Sequence, residues 1–297
     1  MIIISLFGGL GNQMFQYASG KAVATRLDVE LKLDISHLVD RTPRKEFTYR
    51  DYELGIFDIK DEIASLEEVR RFIPNLWNSN KFTQQFYRLK RLCLGNSFFK
   101  EKTKFVYNKE IDSVSDNTYL YGYFQTEKYF NNLRNDLLKY FNLVNIMDEP
   151  NSSLIAQMKN QNSVSIHVRR GDYTNSPFNL LSLQNYYLKA IKLIQEKIDT
   201  PFFYIFTNDY KWVEENFSSL NINKTIVDIN TGDQSFLDMI LMSNCKHNIC
   251  ANSSFSWWGA WLNTYPKKIV ITPEKWFKNT EYIESTYDLI PSDWLKI

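Results

Sequence analysis

The sequence lacks the features that mark secreted, membrane-spanning and disulfide-rich proteins. It has 3 cysteines, an odd number without metal-ligand spacing, which fits a reduced cytosolic setting. The apolar start is only about seven residues long, too short for a signal peptide or a membrane span. We therefore expect a cytoplasmic protein without a transmembrane segment. Peripheral contact with the inner face of the membrane stays open.

The sequence also lacks an excess of either charge. It has 35 Lys and Arg against 34 Asp and Glu, a formal net charge of +1. Without a large net positive charge we expect no binding to nucleic acid, and any anion site must depend on a local group of residues. The HExxH, Gly-x-Ser-x-Gly and Asp-x-Asp motifs are missing as well, so we expect no metal site and no cofactor.

Apolar and aromatic residues, by contrast, are abundant. They make up 44% and 15% of the 297 residues, as in a well-packed globular protein. This length suits two lobes of roughly 150 residues each. Apolar strands alternate with amphipathic helices, which is typical of parallel sheets flanked by helices. We predict an α/β fold of two Rossmann-like lobes, 1–150 and 151–297, divided at the turn-like stretch 148–153.

Local patterns predict the individual elements. In the first lobe we expect a strand at 2–7, a glycine-rich turn at 8–11, a helix at 12–27 and an irregular helical region at 60–92. The second lobe should contain strands at 164–168, 202–206, 225–229, 247–250 and 269–272. Its helices are predicted at 182–198, 235–243 and 254–263. The tail from residue 282 should pack back onto the body.

Three predicted strands of the second lobe end in polar side chains. These clusters are His167, Arg169, Arg170 and Asp172; Thr207, Asn208 and Asp209; and Asn252, Ser253 and Ser254. The carboxyl ends of parallel strands share one edge of a sheet, and ligands of open α/β sheets bind there. We therefore expect the three clusters to surround one crevice.

The adjacent arginines, Arg169 and Arg170, follow an apolar strand directly. Arginine presents a fixed fork of donors that matches phosphate oxygens. The pattern therefore favours a grip for a phosphorylated or nucleotide-linked substrate. A surface turn with solvated charges is the alternative interpretation of this segment.

Other positions also have both a structural and a functional interpretation. Asn252, Ser253 or Ser254 can cap the following helix, whose N-terminus also attracts anions. Ser235-x-x-Asp238 resembles a capping box, whereas Asp238 can instead face a sugar or a base. The glycine-rich turn offers backbone N–H groups to a phosphate, but a tight turn needs glycine in any case.

Two motifs together resemble a known family. Residues 8–18 read Gly-Gly-Leu-Gly-Asn-Gln-Met-Phe-Gln-Tyr-Ala, and residues 167–173 read His-Val-Arg-Arg-Gly-Asp-Tyr. This combination resembles the bacterial α-1,2-fucosyltransferases of glycosyltransferase family 11. The likeness extends to 49–54, 122–130 and 252–259, and so covers nearly the whole chain.

The resemblance implies a GT-B-like fold with a cleft between the lobes. It also implies GDP-β-L-fucose as donor and inversion to an α-linkage at O2 of a terminal galactoside. The acceptor would be a galactose-terminated oligosaccharide or a lipid-linked glycan. The alternatives are a fucosyltransferase of another linkage, a transferase of another GDP-sugar, and a non-catalytic carbohydrate- or nucleotide-binding protein.

The resemblance assigns roles to residues as well. Arg169 would grip the donor diphosphate, Asn12 would lie near the same phosphates, and 253–255 would line the nucleotide. Asp209 and Asp238 would face the ribose or the guanine. The full predicted set of substrate-binding residues is Gly9, Gly11, Asn12, Gln13, Arg170, Asn208, Asp209, Asp238, Asn252, Ser253, Ser254 and Phe255.

The catalytic base is the open part of the prediction. Related fucosyltransferases often carry a glutamate soon after the arginine motif, but here no carboxylate follows Asp172 until Glu196. His167 and Asp172 are therefore both candidates for the base, with Arg169 stabilising the leaving group. His167 can instead be an orienting hydrogen bonder.

Overall fold

The structure is a computed structural model that describes residues 1–42, 49–73, 97–143, 147–170, 183–277 and 286–297. The chain forms two compact units. Unit 1 comprises Met1–Phe141 and Tyr287–Leu289, and unit 2 comprises Asn142–Thr286 and Ile290–Ile297. Each unit is an α/β layer structure built on its own sheet.

The stretch 148–153, predicted as a linker, begins a helix inside unit 2. The side chain of Asp148 accepts a hydrogen bond from the Asn151 N–H at 3.1 Å and caps this helix, and Pro150 lies in its first turn. Asp and Pro are typical of turns, but they are equally typical of the N-cap and the first helical position. The chain passes from unit 1 to unit 2 earlier, between Phe141 and Asn142.

In unit 1 the described residues form a five-stranded sheet in the order β3-β2-β1-β5-β4, with parallel neighbours. The strands are β1 (Ile2–Ser5), β2 (Leu31–Asp34), β3 (Glu62–Ile63), β4 (Ser97–Lys100) and β5 (Thr118–Tyr121). The helices are α1 (Leu10–Leu27), α2 (Ser36–Val39), α3 (Leu66–Phe72) and α4 (Arg134–Tyr140). Short 3-10 turns lie at Leu54–Ile56, Lys109–Ser113, Glu127–Tyr129 and Asn131–Leu133.

The centre of unit 1 is the contact between β1 and α1. All four residues of β1 are buried, and a Cβ on Gly20 would lie 3.0 Å from Ile4, so glycine allows the helix to approach the strand closely. The irregular helical region predicted at 60–92 is confirmed in part up to residue 73, because α3 (Leu66–Phe72) lies within it, but it is wrong at Glu62–Ile63. There β3 comes first, and α3 starts only after a capping box between Ser65 and Glu68. Most of the remainder lies outside the described residues.

A short return of the chain completes unit 1. Tyr287–Leu289 belongs to this unit although residues of unit 2 precede and follow it in sequence. The Asp288 carboxylate, 8% exposed, accepts a hydrogen bond from the Tyr107 N–H at 2.8 Å and pairs with Lys128. The Asp288 N–H donates to the Phe105 carbonyl at 3.2 Å. Asp288 therefore joins the segments that precede and follow β5.

In unit 2 the described residues form a six-stranded sheet in the order β11-β10-β9-β6-β7-β8, with parallel neighbours. The strands are β6 (Ser163–Val168), β7 (Phe202–Thr207), β8 (Asn223–Val227), β9 (His247–Ile249), β10 (Val270–Thr272) and β11 (Leu295–Lys296). The helices are α5 (Glu149–Asn160), α6 (Leu183–Lys197), α7 (Tyr210–Phe217), α8 (Leu237–Asn244) and α9 (Ser254–Leu262). The predicted strands and helices of this lobe are confirmed to within about two residues.

The core of unit 2 contains the aromatic face of α9. Trp257, Trp258 and Trp261 are at most 1% exposed, because this short helix is apolar on every side. The tail packs back as predicted: β11 pairs with β10, and the ring of Trp294 lies 5.5 Å from that of Trp257. Two parallel sheets with crossover helices confirm the predicted α/β fold of two Rossmann-like units.

Candidate functional site

The three polar clusters lie at one edge of the unit 2 sheet. Strand β6 is paired with β9 on one side and β7 on the other, so the carboxyl ends of all three strands are neighbours. Val168, the last residue of β6, lies opposite Thr207, the last residue of β7. The structure thus brings together the strand ends that the sequence placed at one edge.

Arg170 joins the ends of β6 and β7. Its backbone N–H donates to Asn208 Oδ1 at 2.9 Å, and its Nε donates to Asp209 Oδ2 at 3.1 Å. Its guanidinium also lies over the ring of Trp212, 4.5 Å from the ring centroid. Protein groups therefore hold both the backbone and the side chain of Arg170, just after the end of β6.

Asp209, predicted to face the ribose or the guanine, makes hydrogen bonds within unit 2. Its Oδ1 accepts a hydrogen bond from the Trp212 N–H at 3.1 Å and caps α7, while Oδ2 accepts from Arg170. Its own N–H donates to Thr207 Oγ1 at 2.9 Å. Each carboxylate oxygen of Asp209 thus already accepts a hydrogen bond from the protein, and a contact of this residue with the donor stays a prediction.

Arg169 follows β6 directly and is partly buried. Its charge lies close enough to His167 to act, after burial, as the second cause that lowers the pKa of that histidine. Asp172, the other candidate base, lies outside the described residues. The structure therefore places Arg169 and His167 together at the end of β6.

His167 is a buried, neutral imidazole. It is 5% exposed, and burial followed by the charge of Arg169 lowers its pKa to about 3. Its ring lies 5.7 Å from the ring of Phe255, and its Nδ1 has no hydrogen-bond partner among the described residues. A group with so low a pKa is a weak proton acceptor, so these surroundings favour an orienting role over that of a base.

The end of β9 leads into the N-terminus of α9. Ser253 caps the helix, since its Oγ accepts a hydrogen bond from the Phe255 N–H at 3.3 Å, and the predicted capping role is confirmed for this residue. Asn252 turns inward instead, because its Nδ2 donates to the Trp276 carbonyl at 3.3 Å. The first turn of α9, including Ser254, thus lies at the same edge as Arg169, and a helix N-terminus attracts anions.

Asp238 does not form the predicted capping box. Helix α8 begins without a side-chain cap, and Asp238 Oδ1 accepts a hydrogen bond from Asn230 Nδ2 at 2.9 Å. The residue is 9% exposed, and burial raises its pKa to about 7, while the bond from Asn230 acts in the opposite direction. Burial, followed by the charge of Asp238, raises the pKa of Tyr210, the residue after Asp209.

In unit 1 the glycine-rich turn has one glycine that its geometry requires. Gly8 has φ +78°, and a Cβ there would lie 2.4 Å from Asn12 Nδ2. Gly9 is the N-cap of α1, and the nearest atom to a Cβ there would be Glu53 Oε1 at 3.9 Å. Asn12 Oδ1 accepts a hydrogen bond from Gln125 Nε2 at 2.7 Å. The backbone at Gly9 is thus open, whereas Gly8 and Asn12 are held.

Gln13, predicted as a ligand contact, makes hydrogen bonds within unit 1, and its contact with a ligand stays a prediction. It is fully buried, and its Nε2 donates to the Gly8 and Asp51 carbonyls at 2.8 Å each. Its Oε1 accepts a hydrogen bond from the Glu53 N–H at 2.9 Å. Both amide hydrogens and the oxygen are therefore engaged with backbone. Gly11 is likewise buried, in the first turn of α1.

Sequence reasoning missed two residues around this turn, Glu53 and Gln125. Glu53 Oε2 accepts a hydrogen bond from the Leu10 N–H at 3.1 Å, and burial raises the pKa of its carboxyl. Gln125 holds Asn12, as described above. Both lie in segments that carry the family resemblance, 49–54 and 122–130, and the second of these directly follows β5.

The part of the chain that the structure describes contains no group of three or more His, Cys, Asp or Glu side chains arranged to hold a metal ion. None of the helices in that part is long and apolar enough to cross a membrane. The predicted independence from metal stays a prediction.

The two parallel-sheet units define a GT-B-like fold, with an arginine-bearing strand edge in unit 2. Comparison with known proteins agrees. A crystal structure of NodZ alpha-1,6-fucosyltransferase soaked with GDP-fucose superposes with a TM-score of 0.50. It is 16% identical and covers 91% of this chain and 94% of that one, so the likeness shows the fold alone.

The chain belongs to glycosyltransferase family 11, because the model described as "Glycosyl transferase family 11" matches residues 78–297. It is 35% identical to the O-antigen biosynthesis glycosyltransferase WbnK of Escherichia coli, over 95% of this chain and 97% of that protein. It is 31% identical to an alpha-1,2-colitosyltransferase of Escherichia coli, over 100% of this chain and 99% of that protein. The family predicted from the two motifs is confirmed, and the protein is a glycosyltransferase.

Proposed function

We propose that the protein transfers L-fucose from GDP-β-L-fucose to O2 of a terminal galactoside, with inversion and without a metal ion. The observation that carries the proposal is the edge of unit 2 where Arg169 follows β6 beside the capped N-terminus of α9. Both features suit the diphosphate of a nucleotide sugar. The acceptor would be a galactose-terminated oligosaccharide or lipid-linked glycan in O-antigen or related synthesis.

In this reaction the acceptor O2 attacks C1 of fucose, and the bond from C1 to the diphosphate oxygen breaks. Negative charge grows on the departing β-phosphate, so a donor aimed there stabilises the transition state more than the ground state. We assign this task to Arg169, with help from the dipole at the start of α9. Arg170 holds the turn through Asp209 and Trp212.

The nucleoside would lie along the same edge. Asp238 is a better partner for guanine than Asp209. Both carboxylate oxygens of Asp209 already accept hydrogen bonds, one from Arg170 and one from the first turn of α7. Asp238 Oδ2 accepts no hydrogen bond from the residues that the structure describes. Guanine offers two adjacent N–H donors, which a carboxylate can accept. The segment 253–255 would line the nucleotide.

The acceptor proton needs a base. Burial and the charge of Arg169 lower the pKa of His167 to about 3, which makes it a weak proton acceptor and favours Asp172 for this role, with His167 orienting a substrate group. A pH–rate profile of His167→Ala and of Asp172→Asn separates the two assignments. The variant that lacks the base should lose the acidic limb of the profile, and the other variant should keep it.

A second candidate is transfer of colitose, favoured by the 31% identity to an alpha-1,2-colitosyltransferase along the full chain. Colitose is fucose without its 3-hydroxyl, so both sugars suit the same leaving group. The ratio of kcat/KM for the two nucleotide-linked sugars decides between them. A value above one for colitose over fucose would replace the proposed donor.

The experiment that tests the proposal combines GDP-fucose, lactose and EDTA with the full chain, followed by NMR of the product. We expect release of GDP and a fucose linked α to O2 of galactose. A different linkage would overturn the assignment of the acceptor hydroxyl. Binding of GDP-fucose without release of GDP would instead support a non-catalytic binding protein.

A further inference from the structure

Two buried asparagines of unit 2, Asn151 and Asn230, face each other through a reciprocal amide pair. Asn151 Nδ2 donates to Asn230 Oδ1 at 3.0 Å, and Asn230 Nδ2 donates to Asn151 Oδ1 at 2.9 Å. The residues are 1% and 5% exposed and lie 79 positions apart in sequence. Neither belongs to the strand-end clusters that the sequence singled out.

Each asparagine of the pair also donates a hydrogen bond to a carboxylate. The second hydrogen of Asn151 Nδ2 goes to Asp148 Oδ1 at 2.7 Å, and the second hydrogen of Asn230 Nδ2 goes to Asp238 Oδ1 at 2.9 Å. All four amide hydrogens are therefore used. Asn151, Asn230 and Asp238 are buried and Asp148 is exposed, so the buried part of this satisfied network is rigid and its members fix one another.

The direction of these bonds is also fixed. When Asp238 is ionised, a flipped amide of Asn230 would place its oxygen against the carboxylate, and two acceptors would be opposed in a buried place. At the other end of the pair the exposed Asp148 carboxylate accepts hydrogen bonds from both the backbone N–H and the Nδ2 of Asn151, as the cap of α5. The start of α5 thus determines which atom of Asn230 meets Asp238.

This arrangement acts on the nearly buried carboxylate of Asp238, which the reaction scheme above uses. The N–H of Asn230 favours the charged, accepting form of Asp238 against the cost of burial. It also pins Oδ1, so that the orientation of Oδ2 is set for a ligand. Without Asn230, Asp238 would lose its fixed orientation and a source of stabilisation for its charge.

We propose that the Asn151–Asn230 pair is a positioning device that presents Asp238 to a nucleobase with two adjacent N–H donors, and so sets the preference for guanine nucleotides. The inference rests on the proposed function, because it assumes that Asp238 meets the base of the donor. Asn230 acts only through Asp238 and does not touch the ligand. Nucleotides that lack the paired donors, such as ADP, gain nothing from this device.

The test is the ratio of affinities for GDP and ADP, measured by calorimetry on the full chain. Asn230→Ala should lower the affinity for GDP at least tenfold and change the affinity for ADP by less than twofold. The ratio of the two affinities should therefore fall at least about fivefold. In an Asp238→Asn background, the same substitution should change the ratio no further. Asn263→Ala is the matched control, because Asn263 is equally buried in unit 2 and donates to Asn248 Oδ1 at 2.8 Å. It should keep the wild-type ratio even if the melting temperature falls.

The outcomes are distinguishable. A wild-type protein without preference for GDP over ADP would refute the proposed donor site itself. A wild-type preference that Asn230→Ala retains would refute only the positioning device. Should Asn230→Ala fail to fold, Asn151→Ala breaks the pair from its far side and leaves the bond between Asn230 and Asp238 possible. This variant should still reduce the GDP to ADP ratio, and an unchanged ratio would overturn the inference.

Discussion

The guanidinium of Arg170 lies over the indole of Trp212, 4.5 Å from the ring centroid, while its Nε donates to Asp209. The neighbouring Arg169 shares neither contact. Two arginines adjacent in sequence therefore have different tasks: Arg170 stabilises the strand edge, and Arg169 is proposed to stabilise the leaving group. Each task predicts a different response to mutation.

Arg169→Ala should abolish nearly all transfer while the fold is retained. Loss of one donor to a developing oxyanion costs roughly 3–4 kcal/mol, or about 10²–10³ in kcat. Arg169→Lys keeps the charge but not the forked geometry, and it should recover only part of the rate. Steady-state kinetics with circular dichroism as a check on folding tests this, and near-normal turnover of Arg169→Ala would refute the role.

Trp212→Leu should act mainly on the free energy of unfolding, with a smaller effect on the rate of transfer. It removes the aromatic face under Arg170, a contact worth on the order of 1 kcal/mol at a partly exposed site. Trp212→Phe keeps a ring and is the matched control. Chemical denaturation should rank wild type, Phe and Leu in that order, whereas equal stability of the two variants would show that the cation–π contact contributes nothing.

The glycine-rich turn predicts a contrast between neighbouring positions. Gly8→Ala places a Cβ in a left-handed backbone against Asn12 and should cost roughly 1–3 kcal/mol of stability. Gly9→Ala meets no atom closer than 3.9 Å and should cost below about 1 kcal/mol, mainly as a poorer N-cap. Thermal unfolding of both variants checks the ranking, and an equal loss at both positions would contradict it.

Asp238→Asn should stabilise the protein in a pH-dependent way. Burial raises the pKa of Asp238 from an ordinary value of 3.8 to about 7, so between these values the folded state holds a proton that the unfolded chain has lost. Wild-type stability therefore falls as pH rises through this window, whereas the neutral amide is unaffected. Denaturation curves should show little gain for the variant near pH 4 and the largest gain above pH 7. A difference that does not vary with pH would contradict the raised pKa.

Local patterns and parallel topology were sufficient to predict the strand edge of unit 2. The apolar run at 164–166 indicates β6, and because parallel strands share an edge, the polar residues after β6, β7 and β9 had to meet. The roles of single residues were not accessible in this way. Gln13 engages Asp51 and Glu53 about 40 positions away, and nothing in its local sequence distinguishes such a residue from a ligand contact.

The same limit applies to the carboxylates of unit 2. The family resemblance gave Asp209 and Asp238 the same role, and their difference comes from partners on other elements, Arg170 for Asp209 and Asn230 for Asp238. Ser235-x-x-Asp238 met the spacing of a capping box, but the helix begins later and Asp238 pairs elsewhere. Spacing therefore predicts which side chains can interact, and tertiary partners decide which of them do.

The return of Tyr287–Leu289 to unit 1 has a consequence for biosynthesis. Residues 1–141 are synthesised and leave the ribosomal exit tunnel well before Asp288. The nascent unit 1 therefore lacks the carboxylate that binds Tyr107 and Lys128. Most of unit 2 is thus synthesised before the last segment of unit 1, although domains generally fold in order from the N-terminus. Pulse proteolysis of stalled nascent chains should find unit 1 more cleavable at a stall before residue 287 than after release.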